Sequence, residues 1–169
     1  LQEFEAELSK HAAIARAFGP YKLSIHSGSD KFSIYPIIAG HTDGLVHVKT
    51  AGTSYLEALR AMAQVAPDFF REILMLARER YETDRATYHV SAELDKVPPS
   101  ELLDNADLPD LLDQFDARQV LHVTFGSVLD RFGDRLLSTL EAHEEIYGRL
   151  LEHHLQRHLS PFAQGLRLV

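Results

Sequence analysis

His26-Ser27-Gly28-Ser29-Asp30-Lys31 and His47-Val48-Lys49-Thr50-Ala51-Gly52-Thr53-Ser54 are the stretches whose reading decides the fold. Ahead of the first, Tyr21 to His26 alternates weakly and then meets a run of small polar residues, the pattern of a strand entering a loop. The second begins in the β-rich segment Leu45 to Thr50 and passes through a glycine turn into Leu56, Leu59 and Met62 at helical spacing. Two strand-to-loop units of this kind indicate an α/β design, and two or three strands are too few to close a barrel.

Working outward, Phe4, Leu8, Ala12, Ala15 and Phe18 recur at helical spacing until Gly19-Pro20 breaks the pattern. Pro67 fits the first turn of a helix whose inner face uses Phe70, Ile73, Leu74, Ala77 and Tyr81. Thr87 to Leu94 satisfies either period over so few residues, with helix the preferred assignment. Lys96 to Pro109 reads as an irregular connector with one helical turn around Leu102. Val120 to Phe125 is β-rich by composition, yet Asp116 is placed to cap a helix there, and both assignments stand open. A last long helix follows the stripe Phe132, Leu136, Leu140, His143, Tyr147, Leu150, His154 and His158, and is expected to end before Ser160-Pro161.

Composition narrows the function classes. The 169 residues suit one domain or part of one, and 25 Asp plus Glu against 17 Lys plus Arg leave no basic stripe for a phosphate backbone. Nucleic acid is therefore not an expected partner. With no cysteine there is no disulfide framework and no thiolate ligand or nucleophile, and a cytoplasmic setting is expected. No apolar run approaches the roughly 20 residues that span a bilayer, so no membrane partner is expected either. The opening Leu1-Gln2-Glu3-Phe4 is neither a signal sequence nor an initiator, as if cut from a longer protein.

The first loop gathers an imidazole, two hydroxyls, a carboxylate and an ammonium group at a strand end, where parallel α/β proteins place their active sites. A neutral imidazole binds a divalent metal, a carboxylate serves as ligand or base, and a lysine holds an anion. The plainer alternative makes Asp30 the cap of an element beginning near Phe32, with His26 and Ser27 bonded to the turn. In the second stretch, a helix starting near Ser54 would converge backbone N–H groups from Gly52 onward on an anion. Its plainer alternative is an ordinary glycine turn with a Thr or Ser cap. His154 and His158 stand four apart on one helix, without the carboxylate spacing of a zinc protease, and are expected to be packing residues. His89 with Glu93, and His122 with Thr124, rank below the two loops.

Taken together, residues 21–36 (Tyr21-Lys22-Leu23-Ser24-Ile25-His26 through Tyr35-Pro36) and residues 47–58 resemble the signature pair of the tagaturonate/fructuronate epimerase family. Phe69-Phe70-Arg71-Glu72-Ile73, Tyr88-His89-Val90-Ser91-Ala92, Arg118 to Gly126, and His158-Leu159-Ser160-Pro161-Phe162 resemble the same family in the same order. The resemblance implies the C-terminal portion of a longer, TIM-barrel-like epimerase of hexuronate breakdown, with the barrel incomplete in this chain. It implies a divalent transition metal (nickel, cobalt, manganese or zinc), with His26 and His47 as ligands contributed by this portion. Asp30 and Lys31 are then the candidate catalytic groups, and Ser27, Ser29, Lys49, Thr50, Gly52 and Thr53 the candidate substrate contacts. It also implies a missing N-terminal portion, and an incomplete sheet of this kind favours association into an oligomer. A non-catalytic sugar-acid binding fragment, or a structural half needing a partner chain, is the alternative. The reaction implied is C4 epimerisation; because the C4 proton is not next to the ketone, the expected route is reversible C3–C4 cleavage, while the alternative, transient oxidation at C4, would need a nicotinamide, and no dinucleotide glycine fingerprint is present in this portion.

Overall fold

A computed structural model describes residues 1–19, 21–27, 31–50, 52–87 and 89–163, with the side chains of Ser27 and Thr53 outside that description. The chain divides into two compact units, residues 1–51 with 153–169, and residues 52–152.

The first unit opens with α1 (Gln2–Ala17), which buries Leu8, Ala12 and Ala15 along one stripe. Glu3 and Glu5 in its first turn and Arg16 in its last oppose the partial charges of the helix ends. β1 (Leu23–Ser27) follows, then a 3-10 turn (Phe32–Ile34), α2 (Tyr35–Thr42) and β2 (Val46–Thr50). α2 was not anticipated from the sequence, although Pro36 in its first turn and the left-handed Asp43 after its end are ordinary start and stop signals. Arg16 donates to the His41 carbonyl at 2.9 Å and ties α1 to α2.

β1 and β2 pair in parallel, with Ser24 opposite His47, His26 opposite Lys49 and Ser27 opposite Thr50. Opposed residues in a parallel pair share a face, and side chains alternate along each strand. Leu23, Ile25, Val46 and Val48 therefore take one face, where they pack with Leu8, Tyr35 and Ile38. Ser24, His26, His47 and Lys49 take the other, which is exposed.

The second unit is helical. α3 (Thr53–Val65) and α4 (Pro67–Asp84) carry most of its core, with Phe69, Phe70, Ile73, Leu74, Ala77 and Tyr81 of α4 buried as the periodicity requires. α5 (Phe115–Val123), α6 (Phe125–Ala142) and the start of α7 (Glu144–Ala163) complete it, with Ile146, Tyr147 and Leu150 of α7 packed against the same core. Burial sets this pattern, since apolar stripes at helical spacing hide more hydrocarbon on one another than in any extended form. Among the described residues, no helix is long and apolar enough to cross a membrane.

Four local expectations are corrected. The segment after α4 is neither strand nor continued helix: a 3-10 turn, Arg85–Thr87, gives way to irregular chain and a second turn, Leu94–Lys96. His89 and Glu93 thus do not share a helical face, and Tyr88 lies outside the described residues. The stretch around Val120 is helix, capped not by Asp116 but by Gln114, whose Oε1 accepts from the Ala117 N–H at 2.7 Å. Asp116 accepts from the Glu93 N–H instead. The expected last helix is two helices, broken at His143 with φ −129°, because Leu140's carbonyl takes its N–H in a tighter turn. Finally, α7 does not stop before Ser160 but carries Pro161 within its last turn. The Ser160 hydroxyl donates to the Gln156 carbonyl at 2.6 Å, one turn back on the same helix.

Candidate functional site

Because β1 and β2 are parallel, Ser27 and Thr50 end side by side, and both strands deliver their carboxyl ends to one edge of the sheet. That edge is where open α/β sheets bind ligands. Just inside it, His26, His47 and Lys49 stand on the exposed face, and the Ser24 hydroxyl lies 2.9 Å from Nδ1 of His47. With Nδ1–H donating to Ser24, Nε2 of His47 keeps its lone pair for a ligand. Thr50 and Lys31 are exposed as well. The two histidines expected as metal ligands both stand on this exposed face, His26 opposite Lys49 and His47 opposite Ser24. Among the described residues, however, no group of three His, Asp or Glu side chains stands together as a complete metal cage. Ser29, Asp30 and Gly28 lie outside the described residues, as do the side chains of Ser27 and Thr53.

Within the second unit, Gly52 precedes α3 in a left-handed conformation, φ 70°. A Cβ there would lie 2.1 Å from Nε2 of His122, so the imidazole on α5 rests directly on the glycine backbone. Two physical demands thus converge on glycine, a positive φ and a close approach. The Gly52 carbonyl accepts from the Leu56 N–H at 3.0 Å, the first helical bond of α3. Sequence reasoning ranked His122 low because it matters only as a helical residue over this turn. Thr124, paired with it in the sequence reading, spends its hydroxyl on the Val120 carbonyl at 2.8 Å.

Tyr55, in the first turn of α3, is buried with its ring edge-on to Phe125, centroids 4.8 Å apart. Its hydroxyl has no hydrogen-bond partner among the described residues, and burial pushes the phenol pKa upward. Arg60 on α3 loses solvation by burial, but its hydrogen bond to Asp113, with charge attraction from Glu57 and Asp113, outweighs that and raises its pKa. It holds Asp113 through a two-pronged bond of 2.9 and 3.0 Å and the Pro109 carbonyl at 2.9 Å, which pins the irregular connector onto α3.

A two-stranded parallel sheet among helices, with imidazole and ammonium groups toward its strand ends, defines a helix-rich α/β protein. The chain belongs to the tagaturonate epimerase family UxaE, whose model matches residues 1–162. It is 50% identical over 162 residues to a tagaturonate/fructuronate epimerase of Thermotoga maritima, a match covering 95% of this chain and 34% of that protein. Its fold is similar to the native crystal structure of fructuronate-tagaturonate epimerase UxaE from Cohnella laeviribosi, with TM-score 0.92, 42% identity and coverage of 96% of this chain and 34% of that one. A structure of the same enzyme with two glycerols gives TM-score 0.91 at 41% identity, covering 95% and 34%. The chain thus spans about a third of the length of the relatives it matches.

Proposed function

We propose that this chain contributes to C4 epimerisation between tagaturonate and fructuronate, and that His26 and His47 are its share of a divalent metal site. The observation that carries the proposal is the common exposed face of the two imidazoles beside the carboxyl edge of a parallel sheet, in a member of this family. The barrel to which such a sheet would belong is part of the same proposal.

The substrate's C4 proton is not adjacent to the C2 ketone, so enolisation alone does not release it. Breaking the C3–C4 bond does the work: the C4 hydroxyl gives up its proton, C4 becomes an aldehyde, and the bond's electron pair passes through C3 to the C2 ketone. Rotation of the aldehyde and reclosure on its other face invert C4. A divalent cation, when bound, supplies polarisation of the ketone. The chain's own groups do the holding. Ser24 orients the His47 ring, Lys49 offers an ammonium on the same face, Thr50 offers a hydroxyl at the carboxyl end of β2, and Asp30 and Lys31 follow β1 in sequence. Ser27, Ser29, Gly52 and Thr53 are proposed as further substrate contacts.

Titration with nickel, cobalt, manganese and zinc by calorimetry tests the metal assignment. His26→Ala and His47→Ala should each abolish the site, and Ser24→Ala should weaken it about 10–100-fold by freeing the ring. Unchanged affinity in both histidine variants refutes the assignment. Trapping a free aldehyde fragment during turnover of the enzyme supports cleavage; failure to trap or exchange one, with activity intact, counts against it.

A further inference from the structure

The part of α7 that belongs to the first unit carries His154 and His158 one turn apart, only 3% and 4% exposed. Their Nε2 atoms face each other at 2.9 Å, and Nδ1 of His158 lies 2.9 Å from the hydroxyl of the fully buried Tyr35. Phe32 closes over both rings, with centroids 5.6 Å from His154 and 4.8 Å from His158. The Arg157 guanidinium sits 4.0 Å from the Phe32 ring centre, and Lys31 directly precedes that ring in sequence. Among the described residues no third potential ligand makes this a metal cage. What the geometry does impose is a limit on protons.

Two nitrogens at this distance share one hydrogen. In the neutral pair one ring donates and the other accepts. A first added proton breaks nothing, since His158 can then donate from Nε2 to His154 and from Nδ1 to the Tyr35 oxygen. A second proton puts two N–H groups head to head between cationic rings, with the Arg157 guanidinium adding positive charge over the Phe32 ring that covers them. We propose that the Tyr35–His158–His154 chain is a proton-limited latch. It holds the end of α7 on the segment Phe32 to Tyr35 while it carries at most one proton, and lets go when it must take a second. This segment directly follows the first candidate loop in sequence, and the proposal does not rest on the metal assignment.

The sign follows from linkage. Two free imidazoles, each with an ordinary pKa of about 6.5, take two protons in mild acid, whereas the closed pair refuses one of them. The open state therefore binds more protons below that pH, and closure weakens as pH falls, by about tenfold per pH unit once the open state is fully charged.

Hydrogen exchange on the whole chain between about pH 7 and 5 tests this, with α4 of the second unit as internal reference. After correction for intrinsic rates, protection of amides in residues 154–163 should fall about tenfold per pH unit relative to α4 at the acid end. His154→Gln, whose amide carbonyl accepts from the His158 N–H without competing for a proton, should remove that slope. Imidazole carbon–proton NMR of the unaltered chain reads the pair without any variant, and the two rings should respond together to a single proton. Two independent titrations with ordinary midpoints and no loss of protection overturn the latch, and so does an acid slope that survives in His154→Gln.

Discussion

The second unit buries hydrocarbon on hydrocarbon, whereas the first covers only one face of its small sheet and seals its far end with a phenol and two imidazoles. In the second unit, Phe70, Ile73, Leu74, Ala77 and Leu59 are wholly hidden, and the polar clamps such as Arg60 sit at its margins. In the first, the face bearing His26, His47 and Lys49 lies open, and specificity of packing comes from hydrogen-bonded rings. The difference separates where this chain keeps its stability from where the proposed chemistry would take place. An open face of charged and titratable groups adds little to folding, so the energy that orders the chain is drawn from the helices that carry no candidate ligand of the metal.

The largest effect that would break this contrast is expected at Phe70. Phe70→Ala empties a fully buried position and should cost about 3–5 kcal/mol in chemical denaturation, while His26→Ala should cost less than about 0.5 kcal/mol. Comparable losses from the two would erase the distinction. Next, Gly52→Ala should cost about 2–5 kcal/mol, combining the left-handed backbone penalty with the collision against His122. Adding His122→Ala should recover the collision share and leave the backbone share, a coupling that a double-mutant cycle measures.

Smaller effects sharpen the comparison. Arg60→Met should cost about 1–3 kcal/mol by leaving Glu57 and the Pro109 carbonyl without their cation, and proteolysis of the connector from residue 97 to 109 should speed up. In the first unit, Tyr35→Phe should cost a similar or smaller amount and should release the end of α7 while leaving α4 protected. The smallest expected effect is alkaline. Burial raises the pKa of Tyr55 and Tyr81, so the folded state keeps protons that the unfolded chain gives up above about pH 10. Stability of the second unit should then fall as pH rises through that range, visible as an alkaline drop in Tm that Tyr55→Phe reduces.

Periodicity made the helices with one apolar stripe legible, because burial of hydrocarbon depends on spacing alone. Leu8, Ala12 and Ala15, and the α4 face from Phe70 to Tyr81, are where the pattern put them. The shared face of His26 and His47 was legible only in part: alternation places each on its strand, but the register that makes Ser24 the neighbour of His47 is a pairing between two strands separated in sequence. α2 was missed because its eight residues hide only Tyr35, Ile38 and Thr42, too few to declare a period. The break at His143 was missed because the apolar stripe runs on across it, and a stripe records which side faces the core, not whether the backbone turns.

The sequence by itself determined that this is a helix-rich α/β chain of the tagaturonate epimerase family, since local spacing and long motifs need no partner to be read. Tertiary structure alone decided that His122 leans on Gly52 and that His154 and His158 close on Tyr35. Those contacts join residues about 70 and about 120 positions apart. They exist only because core packing brings distant helices and turns to one place, a placement that no local period encodes.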